Sequence, residues 1–303
     1  MLTVLVVGAS GFVGSAVVRA AAGRPDLRVR TMSRTVLPGD HVCGDIIEAS
    51  DTRAALVGVD LVVHCAHASP GDPAAMTTSE LGTQTLCRAA GRQGARVVLA
   101  STTAVYGNGP HRNLREERAP VRPVSPLSRA RAAAEEVVRS YRGLVVRAPL
   151  TFGHGDRWLI PTAISVQRAL GWIDAGRSRH TVIHVDDLAG GLLALARSGG
   201  AGATYHLGNP NPVSVRTLLE AVASSLDIGL NPRDISRAQA EQVLGPRLVS
   251  LLADEHTYDS SAAWAKIPTG PRHDPTRPTQ DEVAWYQRVL AEPAALARPG
   301  AAE

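Results

Sequence analysis

The chain has 303 residues, 44% of them hydrophobic, with a net charge of +4 at neutral pH. That size suits one large α/β domain, or a core domain with a smaller lobe. The charges are scattered without a basic block interleaved with aromatics, so no nucleic-acid partner is expected. No apolar run is long enough to span a membrane, so no membrane partner is expected either.

Thr3–Val7 is a short apolar run that turns straight into glycines, which reads as a first strand and not as a signal peptide. Gly8, Gly11 and Gly14 follow, and a helix-like stretch runs over Val13–Ala22. Glycines in this spacing, between a buried strand and a helix start, suit a pyrophosphate held by backbone N–H groups and the helix dipole. Further strands are expected at Leu27–Met32, Leu61–Cys65, Arg96–Ala100 and Gly143–Arg147, and further helices at Thr52–Leu56, Thr78–Gln93 and Ser128–Tyr141. Continuously apolar strands alternating with helices predict a doubly wound parallel sheet with right-handed crossovers, a Rossmann-like α/β fold. The second half is less regular, with a strand at Ala203–Leu207 and helices at Val215–Leu226 and Gln280–Leu290. The polar, Pro- and Arg-containing stretch 108–123 reads as a loop over the rim of a site.

These elements divide the chain into a nucleotide-binding domain over 1–150, to which 182–208 returns, and a substrate-binding lobe of 151–181 and 209–290. A flexible tail over 291–303 completes the division. Cys43, Cys65 and Cys87 lack metal-ligand spacing and read as reduced thiols in a cytoplasm, and no metal is expected. Lys266 is the only lysine, so nearly all positive charge is arginine.

The second strand ends in Ser33, Arg34 and Thr35, with no carboxylate to hold ribose hydroxyls. Arg34 is suited to a 2′-phosphate through a charge-assisted bond, with Ser33 adding a hydroxyl, which favours NADPH over NADH. A solvated surface arginine is the other reading. Asp45 suits an adenine amino group or a simple turn.

The ordered motifs Gly8–Gly14, Gly44–Ile46, His64–Ala66, Ser101–Gly107, Arg147–Pro149, His184–Asp187 and Tyr205–Gly208 resemble the extended short-chain dehydrogenase/reductase, or NAD-dependent epimerase/dehydratase, family. The resemblance covers most of residues 1 to about 220. It implies a cofactor cradled by Gly8, Ser10, Gly11, Phe12, Val13 and Gly14, with Asp45 and Ile46 at its adenine end. Cys65, Ala66, His67, Ser101, Arg131 and Pro149 would flank the rest. Members of the family carry a catalytic Tyr and, four residues on, a Lys. The matching positions here are Leu127 and Arg131, and a guanidinium releases no proton at neutral pH. The hydroxyl position is retained as Thr102, the expected catalytic residue. Thr103 and Ala104 fall where the family's sugar dehydratases carry an acidic pair. The His184, Asp186 and Asp187 motif is structural in the family. His67 is the nearest titratable substitute, open to reading as an acid or as a packed residue.

A missing acid typically costs about 10²–10⁴-fold in rate. The expected activity is therefore NADPH-dependent reduction of an already activated ketone, such as an angucyclinone-type aromatic polyketide whose own phenol, or a water, supplies the proton. Two other readings stand beside it: a catalytically silent NADP-binding sensor or scaffold, and a sugar-nucleotide epimerase or reductase. Leu159, Ile160, Trp172 and Ile173 would lean the lobe toward an aromatic ligand, with Arg157 and Arg168 nearby.

Overall fold

The computed structural model describes residues 1–67 and 75–292. The expected tail lies almost wholly outside them.

The first half alternates strands and helices: β1 (Leu2–Val7), α1 (Phe12–Ala22), β2 (Leu27–Ser33), β3 (His41–Cys43), α2 (Ala49–Ala55), β4 (Leu61–His64), α3 (Ala75–Gln93) and β5 (Arg96–Thr102). Then come β6 (His111–Leu114), α4 (Pro126–Ser140), β7 (Leu144–Ala148) and β8 (Leu150–Phe152). Helices α5 (Leu159–Leu170), α6 (Val185–Ser198) and α7 (Val215–Leu226) dominate the second half, and Gln280–Ala291 forms the last described helix.

The seven-stranded sheet runs in the order Thr204–His206, β7, β5, β4, β1, β2, β3, and every pairing in it is parallel. The strand order reverses beside β1, where crevices open at the carboxyl ends of open α/β sheets. Val4 to Val7 and Leu61 to His64 are buried throughout, as strands covered on both faces must be. One apolar cluster, with Val6, Val17, Val63 and Leu192, lies on the α1/α6 face; another, with Leu5, Met32, Leu86 and Val145, lies on the α3/α4 face.

A separate cluster is built from Phe152, Ile160, Ile164, Trp172, Leu219 and Tyr286, all contributed by residues after the sheet's first six strands. Its α5 was not foreseen: it starts where buried Asp156, two residues before the N-cap Trp158, accepts hydrogen bonds from the N–H groups of Trp158, Leu159 and Ile160 inside a Gly-rich stretch.

The stretch 108–123 differs from its expectation as a loop. Its β6 pairs with His256–Tyr258, which in turn pairs with Arg179–His180. This small sheet stitches the segment after β5 to the second cluster. A three-residue pairing with no apolar alternation leaves little sequence signal.

Candidate functional site

The candidate site is built on the carboxyl ends of β1, β2, β3, β4, β5 and β7 together with α4. Gly8 leaves β1 with φ +77°, a left-handed conformation, and a Cβ there would stand 2.6 Å from the Ala66 nitrogen. At Gly14 a Cβ would stand 2.1 Å from the Gly8 carbonyl oxygen, so only glycine lets α1 pack this closely on the turn. Gly11 is the N-cap of α1, which has no side-chain cap and no acidic residue in its first turn. The exposed Ser10 and half-buried Phe12 and Val13 border that bare helix start. Unused N–H groups, the positive helix end and a cradle that any Cβ would fill fit a pyrophosphate.

At the end of β2, the buried Ser33 hydroxyl donates to the Thr35 carbonyl at 2.6 Å, so it is engaged locally. Arg34 is exposed, and no ion pair holds it among the described residues. Asp45 accepts from the Ile47 N–H at 3.1 Å, a turn that uses one carboxylate oxygen and leaves the other. Ile46 is buried, its side chain filling the space that Gly82 of α3 leaves open.

Beyond β4, Cys65 is buried and its thiol is pushed up to about 12 by burial, so it is inert. Ala66 stands against Gly8. His67 has an exposed face and hydrogen-bonds the Cys65 carbonyl through Nδ1 at 2.9 Å. The Arg131 charge first, and then loss of surrounding water, hold its imidazole below the usual histidine range. Solvent screens part of that effect, but a neutral His67 at pH 7 follows either way. It makes a poor proton donor.

Thr102 ends β5 opposite Ala148 of β7. Its Oγ1 accepts from the Ala104 N–H at 3.2 Å, capping the turn Thr103–Tyr106. That bond uses a lone pair of the hydroxyl oxygen and not its hydrogen. Ser101, facing the other way, donates to Glu135 at 2.5 Å. Leu127, Arg131 and Glu135 recur every four residues along one face of α4, and the Glu135 contact turns that face toward β5. Arg131 is half-buried and makes no ion pair among the described residues; burial lowers it to about 10, so it stays charged at neutral pH. Pro149, buried, follows β7 and packs on Gly208.

The sequence reading missed the polar network beneath this floor. Glu135 is fully buried, and the Arg147 guanidinium grips it through Nε and Nη2, the latter at 2.6 Å. Arg147 also donates to the Tyr106 hydroxyl at 2.7 Å, which meets His206 Nε2 at 2.6 Å. Its signal was an arginine inside the apolar run Leu144–Ala148, which needs a buried partner. At the start of α6, His184 Nδ1 accepts from the Asp186 N–H, and Asp187 accepts from the Arg272 and His273 N–H groups. His184 and His273 stack at 3.8 Å. His184 Nδ1 is taken by the Asp186 N–H and His273 Nδ1 lies 3.1 Å from Asp187, so the grouping of His184, Asp186 and His273 is already engaged in internal contacts.

In the second cluster an apolar recess opens between β8, α5, α7 and the helix Pro246–Ala253. Leu150, Leu159, Ile160, Leu219 and Leu252 line it, with His180 and Ser214 as its polar members. Trp172 and Ile173 line an adjoining recess that shares Ala163, Val215, Leu219 and Leu252. Arg157 pairs with Glu292 at 2.6 Å instead, and among the described residues no arginine lines either space.

Similar proteins agree with this architecture. A dTDP-glucose 4,6-dehydratase from Streptomyces griseus is 32% identical over 259 residues, 73% of this chain and 78% of the relative. A 4-hydroxy-2-methyl-3-oxo-4-farnesyl-3,4-dihydroquinoline-1-oxide ketoreductase from Stigmatella aurantiaca is 28% identical over 260 residues, 78% of each chain. Among solved structures, the dTDP-glucose 4,6-dehydratase DesIV from Streptomyces venezuelae, with NAD bound, superimposes with a TM-score of 0.75 at 25% identity, covering 95% of this chain and 97% of that one. No helix among the described residues is long and apolar enough to cross a membrane. The family model for NAD dependent epimerases and dehydratases matches residues 4–208, and with that fold and glycine cradle the chain belongs to the NAD-dependent epimerase/dehydratase family.

Proposed function

We propose that the protein is an NADPH-dependent ketoreductase that acts on an activated, uncharged aromatic ketone. One observation carries this reading. On α4, Leu127 and Arg131 precede Glu135 at four-residue spacing, and neither can give up a proton at neutral pH, which supports a reaction without the usual side-chain acid. When bound, NADPH supplies a hydride to the carbonyl carbon. Thr102 donates its free hydroxyl hydrogen to the carbonyl oxygen and orients it. Arg131 keeps a fixed positive charge that favours the developing alkoxide but gives up no proton. The proton comes from a phenol on the substrate, adjacent to the reacting carbonyl, or from water. Holding the reactants in line offsets much of the missing acid.

The relatives favour a second reading, since most of those compared are sugar-nucleotide dehydratases. Against it stand Thr103 and Ala104, neither able to act as an acid, and the absence of arginine from the lobe's apolar recesses. The ketoreductase relative supports the first reading.

The test uses NADPH carrying deuterium at its transferable C4 position, incubated with hydroxylated polycyclic ketones and read by mass spectrometry. Deuterium on a carbinol carbon supports the reading and identifies the carbonyl attacked. Tight NADPH binding without label on any such ketone, together with loss of water from a dTDP-sugar when oxidised cofactor is supplied, overturns it in favour of the second. Binding with neither outcome points to a silent sensor.

A further inference from the structure

We propose that the buried Glu135–Arg147 pair is a positioning device: it locks α4 onto the carboxyl ends of β5 and β7 and so fixes where Arg131, one turn earlier on α4, stands in the site. Ser101 and Arg147 are register partners across β5 and β7, and Thr102 and Ala148 are the next pair. Both Ser101 and Arg147 are spent on a single α4 carboxylate. Glu135 Oε1 accepts from the Ser101 hydroxyl at 2.5 Å and from Arg147 Nε at 3.0 Å. Its Oε2 accepts from Arg147 Nη2 at 2.6 Å and from Arg139 Nη1 at 3.1 Å. These donors take up about the four acceptor positions that a carboxylate has, so it cannot turn. At the start of α4 the buried Ser125 and Ser128 form a reciprocal capping box. Arg131 lies between these two anchors. The remaining arm of Arg147, Nη1, donates to Tyr106, the last residue of the turn that Thr102 caps. One guanidinium therefore ties the helix that carries Arg131 to the turn that follows Thr102.

Stability alone does not call for such a pair. Glu135 is 0% and Arg147 3% exposed, and apolar side chains of similar volume often replace a pair this deep without loss of stability. What apolar packing does not supply is direction. The guanidinium fork binds a carboxylate at set angles, so α4 can neither slide nor roll. His67 reports the outcome. Its imidazole is held down first by the Arg131 charge and then by burial, and His64 beside it is itself neutral at pH 7. Moving Arg131 away therefore lets His67 take up a proton more readily, with neither cofactor nor substrate present. That Arg131 favours an alkoxide rests on the ketoreductase reading; its placement by the pair does not.

The experiment needs neither NADPH nor turnover, so its failure is distinct from failure of the deuterium assay. The full chain carries nitrogen-15 in its histidine rings, and His67 is followed by NMR between about pH 8 and 4.5. Arg131→Leu calibrates the reporter: His67 binds its proton about tenfold or more tightly once a neighbouring unit charge is gone. Glu135→Leu combined with Arg147→Met exchanges one neutral pair for another, so it acts on His67 by moving Arg131. This double variant folds by circular dichroism, and its His67 binds the proton about threefold or more tightly than in the native protein. Arg147→Lys, which keeps the buried charge but not the fork, shifts His67 the same way. The proposal is overturned if Arg131→Leu leaves His67 as in the native protein, because Arg131 then stands elsewhere. It is likewise overturned if either pair variant folds with His67 unchanged. Failure of both pair variants to fold also overturns it, since the pair is then a support for the whole domain.

Discussion

At the scale of single residues, chemistry here turns on what each atom has left to give. Thr102 accepts from the Ala104 N–H with one lone pair, which under the proposed mechanism leaves its hydroxyl hydrogen to orient a carbonyl without serving as the acid. Thr102→Ala should lower turnover by about 10²-fold at most, within the range for losing assistance to proton transfer. Total loss in a folded variant that still binds NADPH would make Thr102 the essential donor and sink the substrate-assisted account. Arg34 is exposed after β2 and has no ion-pair partner among the described residues, and the proposed NADPH reading assigns it the adenosine 2′-phosphate. Arg34→Ala should weaken NADPH by about tenfold, roughly 1.4 kcal/mol as befits a charge-assisted bond, and leave NADH unchanged. Equal loss of both cofactors in fluorescence titration would remove Arg34 from that role.

At the scale of elements, the parts most legible in the sequence were those governed by period and turn chemistry. β1, β2, β4, β5 and β7 stand out as apolar runs, and α1, α3 and α4 as the stretches between them. The glycine turn was legible because only glycine fits it. Illegible elements owe their existence to distant partners: α5 to the buried Asp156 carboxylate, β6 to His256–Tyr258, and the Glu135–Arg147 pair to two charges far from solvent. Such a pair shows in sequence only as two charged residues in different elements, and nothing in spacing joins them. The turn also gives a sharp test. In Gly14→Ala the new Cβ would stand 2.1 Å from the Gly8 oxygen, so α1 must shift away from the sheet. Overpacking of this kind costs about 1–3 kcal/mol. NADPH affinity should fall in parallel, because the helix N–H groups move with the backbone. Urea denaturation and NADPH titration check the two effects. An unchanged NADPH affinity with lowered stability would separate the helix start from the cofactor.

At the scale of the whole molecule, histidines are packed through the structure as neutral groups. His64 is held down at about 4 by burial, and His180 and His206, at about 3 and 4, are lowered chiefly by burial as well. His256 is lowered in the same direction, and His180, His256, His111, Tyr258 and His206 form a chain of ring contacts across the small sheet. In the unfolded chain each histidine takes up a proton near pH 6.5, whereas in the folded protein those lowered ones resist until about pH 4 or below. Between those values the unfolded state binds more protons, so stability is full above about pH 6.5 and falls as the pH drops toward 4. His273 acts oppositely: Asp187 raises it, so its contribution is present below its ordinary value and lost as pH rises. One raised group against several lowered ones leaves the net slope unchanged in sign. The thermal midpoint should therefore be level from pH 8 to 7 and begin to decline between pH 6.5 and 5.5, above the range in which most carboxylates take up protons. His64→Asn, which can keep a hydrogen bond to Thr83 but does not titrate, should make that decline shallower. A midpoint that stays flat from pH 7 to 5.5 would mean that these rings are already open to water in the folded protein.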